Sequence, residues 1–253
     1  MIINSRIACG FFNLNTFKMV NYKFKTSGKT RKEHDLIGDK YFFLEDLFGV
    51  QTLRAIENFD ISNNKLYDYP EIIKGFGIVK KGAAQANHEL GLMTKEVKEA
   101  ICKACDELMA GKHLEHFPVD MIQGGAGTSM NMNANEVIAN RALEIIGKKY
   151  GDYKIIHPND HVNMAQSTND AYPTAMHLGI YIIHQDLMES LKNLTISLDK
   201  KAKEFASIIK MGRTQLQDAV PMTLGQSFHA FSTALKSEAK KLDNAAKDFL
   251  VIN

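Results

Sequence analysis

The sequence has no tryptophan, five prolines and three cysteines in 253 residues, and its apolar runs are short. Stretches such as Ile180-Tyr181-Ile182-Ile183 fall far below the ~18 residues a membrane helix needs, which excludes a helical span. An odd number of cysteines argues against a disulfide framework and fits a reducing compartment, so a cytoplasmic location is expected. There is no internal repeat and no low-complexity tract. At 45% hydrophobic residues the chain can bury one large core or two modest ones, which excludes disorder as its general state.

Acid is missing from one place in particular. Residues 1–32 hold Arg6, Lys18, Lys23, Lys25, Lys29, Arg31 and Lys32 and no Asp or Glu, beneath a formal net charge of only +2 for the whole chain. The segment lacks an Arg-rich amphipathic pattern and has one short apolar stretch, Ile7 to Phe12, so a targeting role is disfavoured. It reads as a disordered basic tail or as sequence ahead of a true start at Met19. A nucleic-acid arm would need affinity lost on deleting residues 1–32; no nucleic-acid or membrane partner is expected.

Cys102 and Cys105 form C-x-x-C, with His113 and His116 following. The Cys-to-His interval is too short for a zinc finger and no strand precedes the pair. Val97, Ile101, Ala104, Cys105 and Leu108 recur at helical spacing, so the cysteines read as small residues on a helix, and no metal site is expected. His157 and His161 are four apart but lack the H-E-x-x-H context of a zinc helix.

The remaining pattern is helical. Pro70 opens one helix through Ile73, Phe76, Val79 and Ala83. Thr94 is an N-cap for the next, and a third runs from about Ser129 to a stop at Gly147. Neither glycine nor proline interrupts the chain between Tyr181 and Met211. There Leu187, Leu191, Leu194, Leu198, Ala202, Phe205 and Ile209 make one apolar seam; Leu224, Phe228, Phe231, Leu235, Ala239, Leu242, Ala246 and Phe249 make a second. Two such seams predict long helices packed at a shallow angle in a bundle. The apolar ending at Phe249 to Asn253, without a C-cap signal, reads as a truncation.

Three polar islands stand where helices are predicted to begin: Gln123-Gly-Gly-Ala-Gly-Thr-Ser-Met-Asn-Met-Asn133, His157-Pro-Asn-Asp-His-Val-Asn163 running on to Gln166-Ser-Thr-Asn-Asp170, and Met211-Gly-Arg-Thr-Gln-Leu-Gln-Asp218. Helix starts carry unpaired N–H groups and partial positive charge, so islands rich in hydroxyls can cradle small anions. The same residues are also the commonest ordinary N-caps. Gly124 to Ser129 lacks the Gly-Lys-Ser/Thr ending of a phosphate loop.

In order and spacing these segments, together with Gly49-Val-Gln-Thr-Leu-Arg-Ala-Ile-Glu-Asn-Phe59, Asn131, Asn133-x-Asn135-Glu136 and Gly212-Arg-Thr-Gln-Leu-Gln-Asp-Ala219, resemble the aspartase/fumarase superfamily from about Lys32 to Asn253. The resemblance implies a mainly α protein: a small mixed or helical amino-terminal lyase domain over 33–160, then the first long helices of a truncated helical bundle over 161–253. It implies anti elimination, in which a base takes the proton beside one carboxylate and a carbanion stabilised as an enediolate forms. Thr214-Gln215, where many members carry Thr-His, resembles the aspartases, so the implied reaction is reversible release of ammonia from L-aspartate to give fumarate. A fumarase, or a non-catalytic fragment that co-assembles with an intact relative, is the alternative.

Carried over by position, the resemblance implies substrate contacts from Thr128, Ser129, Ser167, Thr168 and Asn169. Thr214 and Gln215 would come from a neighbouring subunit of a homotetramer, and His157, Asn159 and Asp160 would form a secondary anion site. A glutamine at 215 cannot act as acid or base. The family's Gly-Ser-Ser-x-Met-Pro-x-Lys-x-Asn loop, which bears the catalytic serine, does not occur in the sequence, so no catalytic residue is assigned and the chain is expected to be inactive alone. No cofactor is implied, and activation by a divalent metal is left open.

Overall fold

A computed structural model describes residues 26–251. The readings of Met19, of Ile7 to Phe12 and of the ending at Asn253 lie outside the described residues. Two compact units divide the chain, one ending at Ala175 and one beginning at Met176. The described residues are mainly helical, as expected, and also form two small two-stranded antiparallel sheets.

The first unit opens with strands β1 (Thr30–Asp35) and β2 (Gly38–Phe43), paired around Leu36-Ile37. Asp35 Oδ1 accepts from the N–H groups of Ile37 and Gly38, which closes the turn. Helix α1 (Val50–Asn58) sends Arg54 back to that carboxylate in a two-pronged contact of 2.7 and 2.6 Å. That guanidinium holds the Asp35 pKa down at about 2. Thr30, Arg31 and Lys32, the end of the basic segment, lie in β1. Arg31 donates to the carbonyls of Phe43, Asp46 and Phe48 and pairs with Glu33.

Helix α2 (Pro70–Glu89) begins at its proline, as predicted. Helix α3 (Lys95–Met109) is capped by Thr94, whose Oγ1 accepts from the Val97 N–H. Helix α4 (Thr128–Ile145) stops at Gly147, φ 72°. There the N–H groups of Gly147 and Lys148 bond back to Glu144 and Leu143, the paired closure that a left-handed glycine permits. Between α2 and α4 lies α3, burying Ala100, Ile101, Ala104, Cys105 and Leu108. Cys105 is fully buried, and burial pushes its thiol pKa well up. The core centres on α4, where Met130, Val137, Ile138 and Leu143 have no exposed surface. Each such side chain contributes ~1.5–3 kcal/mol from burial.

The buried face of α2 is turned about one residue from the predicted one. Ile73 and Phe76 are buried as expected, but the stripe continues through Lys80, Ala84 and Asn87, while Val79 and Ala83 are only half-buried. One residue is ~100° of helix, so small shifts in where α3 docks decide which side chain is inside.

Helix α5 (Thr168–Glu204) supplies its first residues to the first unit and the rest to the second. In the second unit it is followed by β3 (Ile209–Thr214) and β4 (Gln217–Thr223), then by α6 (Leu224–Ala246) and a single 3-10 turn (Lys247–Leu250). Thr223 and Gln226 cap α6 reciprocally. Phe205 meets Phe228 edge to face with ring centroids 5.3 Å apart, and Lys236 reaches Asp199, so α5 and α6 lie side by side.

Two expectations fail in this unit. Ile209 does not extend the α5 seam, and the third polar island forms a hairpin, not a helix start. The helix ends where the Phe205 carbonyl is taken by the Gly225 N–H and the Ile208 carbonyl by the Leu224 N–H, which ties the chain to the next helix start. The two seams leave large apolar side chains outside, with Leu187 44% and Phe231 57% exposed. Among the described residues no helix is long and apolar enough to cross a membrane.

Candidate functional site

Two helix starts adjoin in the first unit. Before α4 the chain runs through Gly124-Gly125-Ala126-Gly127, and Gly127 has φ 82°. A β-carbon on Gly127 would lie 2.2 to 2.3 Å from the Tyr172 ring, so the backbone ahead of α4 lies flat against a side chain from the first turns of α5. Gln123 fastens the loop: its Oε1 accepts from the Met130 N–H and its Nε2 donates to the Asp120 carbonyl. One turn into α4, Asn131 Nδ2 donates to Thr168 Oγ1 at 3.1 Å, which bridges the beginnings of α4 and α5.

Five of the expected site residues therefore share these two helix starts: Thr128 and Ser129 open α4, while Ser167, Thr168 and Asn169 open α5. Thr128, Ser167 and Asn169 are exposed, and Ser129 and Thr168 half-buried. Ser167 Oγ accepts from the Asn169 N–H at 3.2 Å and Thr168 Oγ1 accepts from Asn131. Each hydroxyl has a lone pair occupied, which leaves its O–H to donate to a ligand. Hydroxyl donors over two positive helix ends suit a carboxylate.

Behind this surface lies a residue that the sequence reading missed. Lys80 of α2 is 0% exposed. Its Nζ donates to Asn131 Oδ1 (2.7 Å), Asn163 Oδ1 (2.8 Å) and Gln166 Oε1 (3.1 Å). Burial lowers its pKa from 10.5 to about 7. The available signal was periodicity: Ile73, Phe76, Lys80, Ala84 and Asn87 are spaced as one helix face, and a lysine within an apolar stripe needs internal partners.

Glu136, part of the polar block on α4, does not face the site. Its carboxylate is buried at the start of α1 and accepts from the N–H groups of Gly49, Gln51 and Thr52 and from the Thr52 hydroxyl, all at 2.7 to 3.0 Å. Desolvation and the neighbouring Glu33 push its pKa up to about 7, against those donors. Glu136 is thus an internal anion that fills the α1 helix start.

Asn159 and Asp160 lie on a π-helical turn (Pro158–Val162) that His157 caps. His157 Nδ1 accepts from the N–H groups of Asn159 and Asp160, and the His157 N–H donates to His161 Nδ1 at 2.9 Å. The His157 nitrogen that faces the turn is spent on its own backbone, while Asn159 and Asp160 are exposed. Thr214 and Gln215 belong to the second unit, at the end of β3 and in its turn, where Gln215 and Leu216 have φ 48° and 65°. Among the described residues no cluster of three or more His, Cys, Asp or Glu could hold a metal ion.

Comparison with known proteins matches residues 44–253 to a family described as lyase. The chain is 52% identical to the aspartate ammonia-lyase of Escherichia coli (strain K12) over 228 residues, 90% of this chain and 48% of that one. It is 55% identical to the aspartate ammonia-lyase of Helicobacter pylori (strain J99) over 215 residues, 85% of this chain and 46% of the relative. Among solved structures, a fumarate lyase:delta crystallin from Brucella melitensis aligns with TM-score 0.87 at 48% identity, covering 89% of this chain and 52% of that one. A recombinant class II fumarase from Schistosoma mansoni aligns with TM-score 0.81 at 35% identity, covering 88% and 47%. The chain thus spans about half the length of the curated relatives it matches. With the family match taking in most of its residues and the blocks from Gly49 to Ala219 in order, the chain belongs to the aspartase/fumarase superfamily of lyases.

Proposed function

We propose that this chain is part of an aspartate ammonia-lyase, which eliminates ammonia from L-aspartate reversibly to give fumarate. What supports the reading most is the joining of the α4 and α5 starts through Asn131 and Thr168, since Thr128 and Ser129 open the one helix and Ser167 and Thr168 the other. In the reaction the carbon beside one carboxylate loses a proton, the electron pair is delocalised onto that carboxylate's oxygens, and ammonia leaves the neighbouring carbon. Removing so weak an acid's proton requires donors already aimed at the oxygens on which charge grows. Thr128, Ser167 and Thr168 supply them, Ser129 supports them, and Asn169 holds the amino group.

Thr214 and Gln215 line the pocket from a neighbouring subunit of a cytoplasmic homotetramer, and His157, Asn159 and Asp160 form a peripheral anion site. The neutral Gln215 fits an amino-acid substrate without a proton shuttle at that position.

The sequence contains no Gly-Ser-Ser-x-Met-Pro string, so the chain alone gives no fumarate from L-aspartate. The decisive experiment replaces the matching segment of the Escherichia coli aspartate ammonia-lyase with this chain and follows fumarate absorbance. Turnover of L-aspartate is expected. Turnover of L-malate without L-aspartate would overturn the proposal in favour of a fumarase.

A further inference from the structure

We infer that Lys80 is a buried ammonium whose positive charge, passed through Asn131 to Thr168, helps hold a dicarboxylate at the starts of α4 and α5. The inference rests on the reading of that surface as a dicarboxylate site.

Three oxygens face the Lys80 Nζ and no donor does. The amide orientations are fixed independently of the lysine. Gln166 Nε2 donates to the carbonyls of Val162 and Met164, and Asn163 Nδ2 to the carbonyl of Gln166. Asn131 Nδ2 donates to Asn163 Oδ1 and Thr168 Oγ1. Flipping Gln166 or Asn163 would set an NH2 against the lysine and a carbonyl against a carbonyl. An ammonium has three N–H donors and here spends all three, whereas a neutral amine would aim its lone pair at an oxygen.

Among the described residues no carboxylate pairs with Lys80. Its neighbour Lys81 is paired with Asp106. From α3 Lys80 faces the Cys105 thiol, which burial keeps protonated and therefore uncharged. From α4 it meets Asn131, and from the segment before α5 it meets Asn163 and Gln166, all uncharged. The titratable groups of the π-helical turn and its cap are His157, Asp160 and His161, and both histidines accept backbone N–H groups at Nδ1. A buried cation without a counter-ion is costly, and an anion arriving nearby offsets that cost.

The ammonium polarises the Asn131 amide, whose other end donates to Thr168 Oγ1, so the Thr168 O–H becomes a stronger donor toward the ligand. Lys80 touches no substrate atom in this scheme; it is a positioning residue.

The test uses the unaltered chain labelled with carbon-13 lysine. The Lys80 resonance, identified by its disappearance in K80M or by its proximity to Asn131 should that variant not fold, is titrated with pH in the absence and presence of succinate, a dicarboxylate that cannot react. Backbone amides of Thr128 and Thr168 report whether succinate binds. The expected result is amide shifts together with a Lys80 midpoint raised by about one pH unit, equivalent to about tenfold tighter binding to the ammonium form. Amide shifts with an unmoved midpoint would overturn the inference and leave the dicarboxylate site standing. No shift at either amide would overturn both.

Discussion

Gly127 and Tyr172 meet so closely that a β-carbon on the glycine would fall 2.2 Å from ring atom Cγ. The contact locks the loop before α4 onto the start of α5. Gly127→Ala adds both a collision and a strained backbone at φ 82°, and should cost ~3 kcal/mol or more. Tyr172→Ala in the same chain removes the collision but not the strain, so the double variant should melt above the Gly127→Ala single variant. Thermal unfolding followed by circular dichroism checks this; equal melting temperatures for the single and double variants would show that the ring is not the obstacle.

Glu136 is the anion at the start of α1 and takes four donors there, while the neighbouring Glu33 carboxylate takes the Val50 N–H. Glu136→Gln keeps the shape but turns an NH2 toward backbone N–H groups. The expected loss is ~2–4 kcal/mol in urea unfolding, concentrated in the first unit, because a buried donor set is left unsatisfied. A change under ~0.5 kcal/mol would show that the carboxylate is not needed there.

The Arg141 guanidinium, helped by His113, holds the Glu107 carboxyl pKa down at about 2 from 4.5, against burial. Because the folded value lies below the unfolded one, the stabilisation is complete above pH 4.5 and is lost as pH falls toward 2. With Glu107 22% exposed, it amounts to ~2 kcal/mol after screening is allowed for. Glu107→Gln should therefore be less stable than the parent chain at pH 7, and the gap in unfolding free energy should close between pH 4.5 and pH 2. A gap that stays constant with pH would mean the carboxylate's charge is not what stabilises.

Local signals in the sequence were legible where the chain makes them alone. Pro70 at a helix start, Thr94 as a cap and Gly147 as a stop are each decided within a few residues, and all three are found. Two polar islands fall at helix starts for the same reason. The third does not, because the apolar spacing through Phe205 and Ile209 continues past the residue where tertiary bonds from Leu224 and Gly225 end α5. Lys80 and Glu136 were unreadable as partners for a different reason: what satisfies them comes from other elements, 51 and 84 or more residues away. Periodicity can mark such a residue as misplaced on its face, but only the packed structure supplies the group that meets it.

At the hairpin tip of the second unit the backbone is strained. Gln215 and Leu216 both adopt left-handed backbone, at ~1 kcal/mol or more each, and Leu216 is 99% exposed. A chain tuned for sturdiness alone would place Asn-Gly there and shed the greasy side chain into the bargain. Keeping glutamine and leucine costs the hairpin about 2 kcal/mol, which makes the tip a region where a more robust version of this protein would first depart from the present sequence.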